Sequence, residues 1–245
     1  MTRTKIGSEP INQNINSSEP NFVITIDGPG GSGKGTVGRR VAARLGWHLL
    51  DSGALYRLVA LGGLDAGLDP NDEPGHKRLA ESLAVTFGAD ASGEEVIRVW
   101  GRDVTQQMRT EAAGSAASRV AAMRTVREAL LERQRAFARP PGLVADGRDM
   151  GTVVFPEAGL KIYLTASAEE RARRRHKQLK EKGLDVSLAA LSQEIRERDR
   201  RDSSRAVAPL RPAADAVLID STGMPVEGVV DAILALAGRR FPAVL

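Results

Sequence analysis

One stretch constrains this chain more than any other: Phe22-Val23-Ile24-Thr25-Ile26, then Asp27-Gly28-Pro29-Gly30-Gly31-Ser32-Gly33-Lys34-Gly35-Thr36, then Val37, Val41 and Leu45 at helical spacing. The apolar, β-branched run reads as a buried strand, and the spaced aliphatics as one face of a helix. A glycine-rich turn between such a strand and helix can wrap its backbone so that several N–H groups converge on one anion. The helix adds its positive N-terminal dipole and Lys34 a mobile full charge. Gly28, Gly33 and Lys34 stand at phosphate-loop spacing, so Gly28, Gly30, Gly31, Ser32, Gly33, Lys34, Gly35 and Thr36 are assigned to phosphate binding. The general motif places Ser or Thr directly after the lysine to hold Mg²⁺. Here Gly35 intervenes and Thr36 follows, which leaves the direct metal ligand unassigned.

Five short apolar runs recur with helical segments between them: Phe22–Ile26, Trp47–Asp51, Leu143–Asp146, Leu160–Leu164 and Ala216–Asp220. That alternation predicts an α/β fold, a five-stranded parallel doubly wound sheet flanked by helices. Ligands in such sheets lie at the carboxyl ends of the strands. Asp27-Gly28, Asp51-Ser52 and Asp146-Gly147 all fall there. Leu83–Phe87 and Val96–Trp100, with the turn signal Asp90-Ala91-Ser92-Gly93 between them, predict an inserted antiparallel hairpin. Residues 104–138 read as helical with a break near Met123-Arg124. Two more helices, Ser167–Lys182 and Ser187–Ser203, are strongly basic. A final helix from Pro225 ends at Gly238. Residues 1–20 are polar and apolar-poor, and are expected to form a disordered tail.

The chain has 245 residues, no cysteine, and 28 arginines against 7 lysines. The missing cysteine excludes disulfide and thiolate chemistry. Apolar runs are too short to span a membrane and nothing resembles a secretory signal, which points to a cytoplasmic enzyme. The three histidines have no ligand-like spacing, so no metal site is assigned from them. The arginine excess raises nucleic-acid binding as a rival reading, but aromatics are only 4 % of the chain and do not interleave with the arginines. Trp47 and Trp100 read as core.

Position decides which arginines matter. Asp51-Ser52-Gly53-Ala54-Leu55-Tyr56-Arg57 and Asp146-Gly147-Arg148-Asp149-Met150-Gly151 each bring an arginine to the rim of the phosphate loop. Arg57 and Arg148 suit a bidentate grip on a second phosphate. Arg198, Arg201, Asp202 and Arg205 sit at offsets 0, 3, 4 and 7 and share a helix face. Three arginines around one aspartate repel one another unless an anion neutralises them, as phosphoryl transfer between nucleotides would. Arg171, Arg174 and Arg175 repeat the pattern one helix earlier, where a solvated basic face is an equal alternative.

The loop form GxxGxGKGT and the stretches ITIDGPGGSGKGT, WHLLDSGALYR, SAASRVAAMRTVREALLERQRAF, VADGRDMGTVVFP and ERDRRDSSRAVAPL together resemble the bacterial cytidylate kinases, P-loop nucleoside monophosphate kinases. The resemblance spans Val23 to about Asp220. It implies phosphoryl transfer from ATP to CMP or dCMP with Mg²⁺ in a cytoplasmic monomer, with no nucleic-acid or membrane partner. Another nucleoside monophosphate, or a small alcohol, is the alternative acceptor. Carried residue by residue, it implies that Lys34 bridges toward the transferred group and that Arg57, Arg148 and Arg205 hold the acceptor phosphate. It further implies that Ser118, Arg127 and Asp149 read the cytosine edge, with Ser52 beside the acceptor and Asp202 on the sugar. Arg198 and Arg201, with Arg174 weaker, would meet the phosphates from a closing lid. It implies a core of about 21–63, 140–167 and 206–245, a monophosphate-binding lobe of about 64–139 bearing the insertion, and a lid of about 168–205.

Overall fold

The computed structural model describes residues 22–89, 95–108, 110–181, 183 and 185–242. The central strand is β1 (Val23–Asp27), every residue of which is buried. Ile24 and Ile26 are fully enclosed, each contributing about 1.5–3 kcal/mol by leaving water. It is flanked by β6 (Leu143–Gly147) and β7 (Leu160–Thr165). Outside them lie β2 (His48–Asp51) and β8 (Val217–Asp220), giving the order β2-β6-β1-β7-β8. All pairs are parallel, so the five-stranded sheet expected from the apolar runs is present. Register aligns the strand ends: Asp27 sits opposite Gly147, and Asp51 opposite Asp146. The carboxyl rim thus collects β1, β2 and β6 termini within two strand spacings.

Helix α1 (Lys34–Leu45) buries Val37 and Val41 against the sheet. It stops at Gly46, whose φ of 66° lets its N–H turn back to the carbonyls of Ala42 and Ala43, a left-handed cap that favours glycine. Asp51 caps α2 (Ser52–Asp65) by accepting from Ala54 N at 3.1 Å. Next come α3 (Glu73–Glu81) and an antiparallel sheet of β3 (Val85–Ala89), β4 (Glu95–Val99) and β5 (Arg102–Asp103). The hairpin is as expected, and its third strand was not. The turn signal at 90–93 and the tail at 1–20 lie outside the described residues.

The stretch from 104 is three helices, α4 (Thr105–Met108), α5 (Glu111–Val120) and α6 (Arg124–Arg135). Besides the expected break before Arg124, the chain stops again where Thr110 caps α5. After β6 a π-helical turn, Met150–Val154, carries the chain under the sheet rim. The basic helices are α7 (Ala168–Glu181) and α8 (Leu188–Ser203). The last helix, α9 (Val226–Arg240), runs through Gly238 rather than ending there. Phe241 explains this: buried at the helix end, its ring meets Phe22 and Trp47, so the helix must continue to deliver it. Trp47 is core as expected, but Trp100 is not. It is 43 % exposed at a φ of 47°, with Nε1 donating to Ser82 O at 3.0 Å. Among the described residues no helix is long and apolar enough to cross a membrane.

Candidate active site

The phosphate loop joins β1 to α1 at the sheet rim. At Gly28 a Cβ would stand 2.0 Å from Leu164 O, so the loop can leave β1 beside β7 only with glycine there. Gly33, at a φ of 96°, precedes the first turn of α1, where a side chain would strain the backbone. Lys34 is 5 % exposed, and its Nζ donates to Pro29 O at 2.8 Å and Ser32 Oγ at 3.4 Å. Burial, then the nearby Arg148 charge, pushes the Lys34 ammonium down to about 7. An anion between these cations would reverse that shift.

Two carboxylates below the loop are pushed the other way. Burial raises Asp27 to about 7 although its oxygens accept from the backbone N–H groups of Met150 and Gly151, both at 2.8 Å. Those bonds anchor the π-helical turn to β1 and so fix where Arg148 and Asp149 emerge. Asp146 is raised to about 6 by burial, with Lys34 opposing.

The second half of the site is built around Asp202 on α8. Its carboxylate accepts from Arg148 Nε at 3.1 Å, from Ser118 Oγ at 2.9 Å, and from Arg205. Burial alone would raise this carboxyl, but Arg148, Arg205 and Arg198 hold it below the usual range. Deeper in, Arg127 on α6 pairs with Asp149, both buried, and the Arg127 guanidinium lies 5.6 Å from the centroid of the Tyr56 ring. Ser52 donates to Asp146 O at 2.8 Å, tying the start of α2 to β6. Arg57 lies 3.5 Å from Asp51.

These groups face a single cleft of about 330 Å³. Gly30, Gly31, Gly33, Lys34, Gly35 and Thr36 line one side. Ser52, Arg57, Ser118, Arg127, Arg148, Asp149, Arg198, Asp202 and Arg205 line the rest. Four sequence candidates do not line it; one of them, Arg174, is turned instead to Ser221 and to the carbonyl of Ser32. Gly28 serves the strand approach, Ser32 is buried behind the loop, and Arg201 is exposed on the outer side of α8. Offset 3 carries Arg201 away from the face that offsets 0 and 4 share. Arg205 reaches the cleft from just beyond the helix end, where the chain has turned back.

The structure adds Asp51, Tyr56, Asp146, Arg175 and Gln178 to the lining. The aspartates were visible as strand-end carboxylates but carried no role. Nothing local marks Tyr56 or Gln178. Among the described residues no cluster of three or more histidine or carboxylate side chains could hold a metal alone.

The cleft sets a glycine-rich loop and several guanidinium groups around one space, beside the buried Arg127–Asp149 pair. A sequence model of the family described as cytidylate kinase matches residues 24–239. The cytidylate kinase of Methylococcus capsulatus is 58 % identical over 214 residues, 87 % of this chain and 96 % of that protein. That of Stutzerimonas stutzeri is 60 % identical over 223 residues, covering 91 % and 97 %. That of Pseudomonas aeruginosa is 61 % identical over 219 residues, covering 89 % and 96 %. With loop, arginines and family match in agreement over nearly the whole described chain, the protein belongs to the cytidylate kinase family.

Proposed function

We infer that the chain transfers the γ-phosphoryl group of ATP to the phosphate of CMP or dCMP, giving ADP and CDP or dCDP. The observation that carries this is one cleft holding the phosphate loop at one end and the buried Arg127–Asp149 pair at the other, with Arg148 and Arg205 between them. ATP phosphates lie on the loop's N–H groups and Lys34. The acceptor phosphate lies among Arg57, Arg148 and Arg205, whose planar forks suit its oxygens. The acceptor is already an anion, so no side chain has to remove a proton. Positioning and positive charge do the work. Arg198 approaches the loop from α8, and one such arginine can contribute about 10³–10⁵ in rate.

Base choice follows from donor and acceptor pattern. Cytosine offers an exocyclic amine and an unprotonated ring nitrogen. Asp149 accepts from the first, Arg127 donates to the second, and Ser118 supports the same edge. Each such pair contributes about 1–3 kcal/mol of discrimination by analogy with base readout. Asp202 joins the three parts that close on substrate: Ser118 from the lobe, Arg148 from the core and Arg205 at the end of the lid. Closure excludes water, so the phosphoryl group reaches CMP.

The residues present fit a Mg²⁺ ion. Gly35 leaves open the space beside Asp146, where a Cβ would stand 3.4 Å from Oδ2. Mg²⁺ asks for only one or two carboxylates, with phosphates and waters completing its shell. Asp146, Asp51 and Thr36 would hold it, and the ion would offset charge on the donor phosphates. One chain supplies every group named, so the site is complete within a monomer. Coupled ADP release measured across CMP, dCMP, UMP, AMP and a shikimate-like alcohol tests the reading, with CMP and dCMP expected to dominate. Turnover of UMP equal to that of CMP would remove Arg127 and Asp149 from the base edge.

A further inference from the structure

Arg171 is a buried cation that does not line the cleft. It is 4 % exposed, and its side chain touches three separate elements. Nε donates to Ala166 O at 2.9 Å, just before α7. Nη1 donates to the carbonyl of Gly30 in the phosphate loop at 3.0 Å. Nη1 and Nη2 together grip Asp199 of α8, at 3.0 and 2.5 Å. One turn along α7, Arg174 treats the loop alike: Nη1 reaches Ser32 O at 3.4 Å, and Nη2 donates to Ser221 O at 2.6 Å.

A loop that aims its N–H groups inward aims carbonyls outward, and carbonyls covered by a helix need donors. Arg171 and Arg174 are those donors. Arg171 is also ionised and enclosed, so it requires Asp199 as counter-charge.

We propose that the Arg171–Asp199 pair is a positioning device, coupling the phosphate loop to the lid helix α8 and thereby setting Arg198 against the transferring phosphates. Asp199 adjoins Arg198 in the chain and lies less than one turn before Asp202. Gly30, whose carbonyl Arg171 holds, faces Arg198: a Cβ on Gly30 would lie 3.6 Å from the Arg198 guanidinium carbon. Loop and helix are thus registered at one residue, from one side by Arg171 and from the other by Arg198. A misplacement of about 1 Å at such a point costs on the order of 10²-fold in rate. The solvated-face alternative for this arginine does not hold at 4 % exposure. The inference rests on the phosphotransfer reading of the cleft.

Steady-state kinetics of Arg171→Lys, Asp199→Asn and the double variant test it, on whichever acceptor the wild type phosphorylates. Wild-type failure with CMP would bring down the acceptor assignment and leave the coupling to be judged on the acceptor found. Each single substitution is expected to lower kcat about 10–100-fold with the acceptor KM within about twofold, since the contact matters in the transition state. The double variant is expected within about threefold of the worse single one, because one unit is broken once. Losses that multiply in the double variant, which would show the two residues acting independently, or a loss confined to the KM for ATP, would overturn the proposal. Should Arg171→Lys fail to fold, Asp199→Asn decides alone, and an unchanged kcat overturns the proposal.

Discussion

Replacing Asp202 by alanine is the sharpest perturbation this site offers. The side chain is 1 % exposed and neutralises two guanidiniums, that of Arg148 at 20 % side-chain exposure and that of Arg205 at 5 %. Breaking a buried pair from one side typically costs about 3–5 kcal/mol, because the partner is left charged and enclosed. Arg148 can turn partly to water and Arg205 cannot, so the lower end applies, about 3 kcal/mol. For a chain of this length each kcal/mol moves the melting midpoint by about 2–4 °C, giving a fall of about 6–12 °C. The assay is thermal unfolding followed by circular dichroism, run at matched ionic strength in chloride and in sulfate. Sulfate is expected to raise the variant's midpoint more than the wild type's, since an anion replaces the lost carboxylate between the arginines. The acid limb should also change. A carboxyl held below its usual range stabilises above the unfolded value, and that stability is lost as pH falls through the folded one. The variant lacks that loss. A midpoint within about 2 °C of wild type, or equal sulfate responses, would refute the picture of Asp202 as the shared counter-ion of Arg148 and Arg205.

Arg148→Lys is expected to lose most activity with an unchanged circular dichroism spectrum, since lysine cannot grip two oxygens at once. Unaltered kcat/KM would remove Arg148 from the reaction. Asp149→Asn presents an amide that can donate as well as accept, so the CMP-to-UMP ratio of kcat/KM should fall about 5–150-fold, the 1–3 kcal/mol of one base contact; a preserved ratio would place base choice elsewhere. ATP binding should take up a proton. Lys34 is held down to about 7 in the anion-free protein, and phosphate oxygens restore its charge, so affinity is greatest below pH 7 and declines above it. Calorimetry at pH 8 in buffers of different ionisation enthalpy should approach one proton per ATP. Zero uptake would contradict a desolvated Lys34.

Local chemistry wrote much of this protein into its sequence. The strand, glycine loop and helix at 22–45 need no distant partner to be recognised, because close backbone approach and anion-directed N–H groups demand those residue types at that spacing. The five apolar runs likewise announced a parallel sheet, and the strand-end rule placed its site on the rim. Tertiary structure decided what each charged side chain does there. Arg198 and Arg201 are equally basic and three residues apart, yet one lines the cleft and the other faces water, because helix phase against the loop is set by packing rather than by composition. Arg171 and Arg175 share a helix, but the first is consumed by Gly30 and Asp199 while the second lines the cleft. Asp202 became the hub of three segments only when α5, the turn after β6 and the chain just past α8 converged on it. A charge's role depends on how far it lies from water and from its counter-charges, and folding alone supplies those distances.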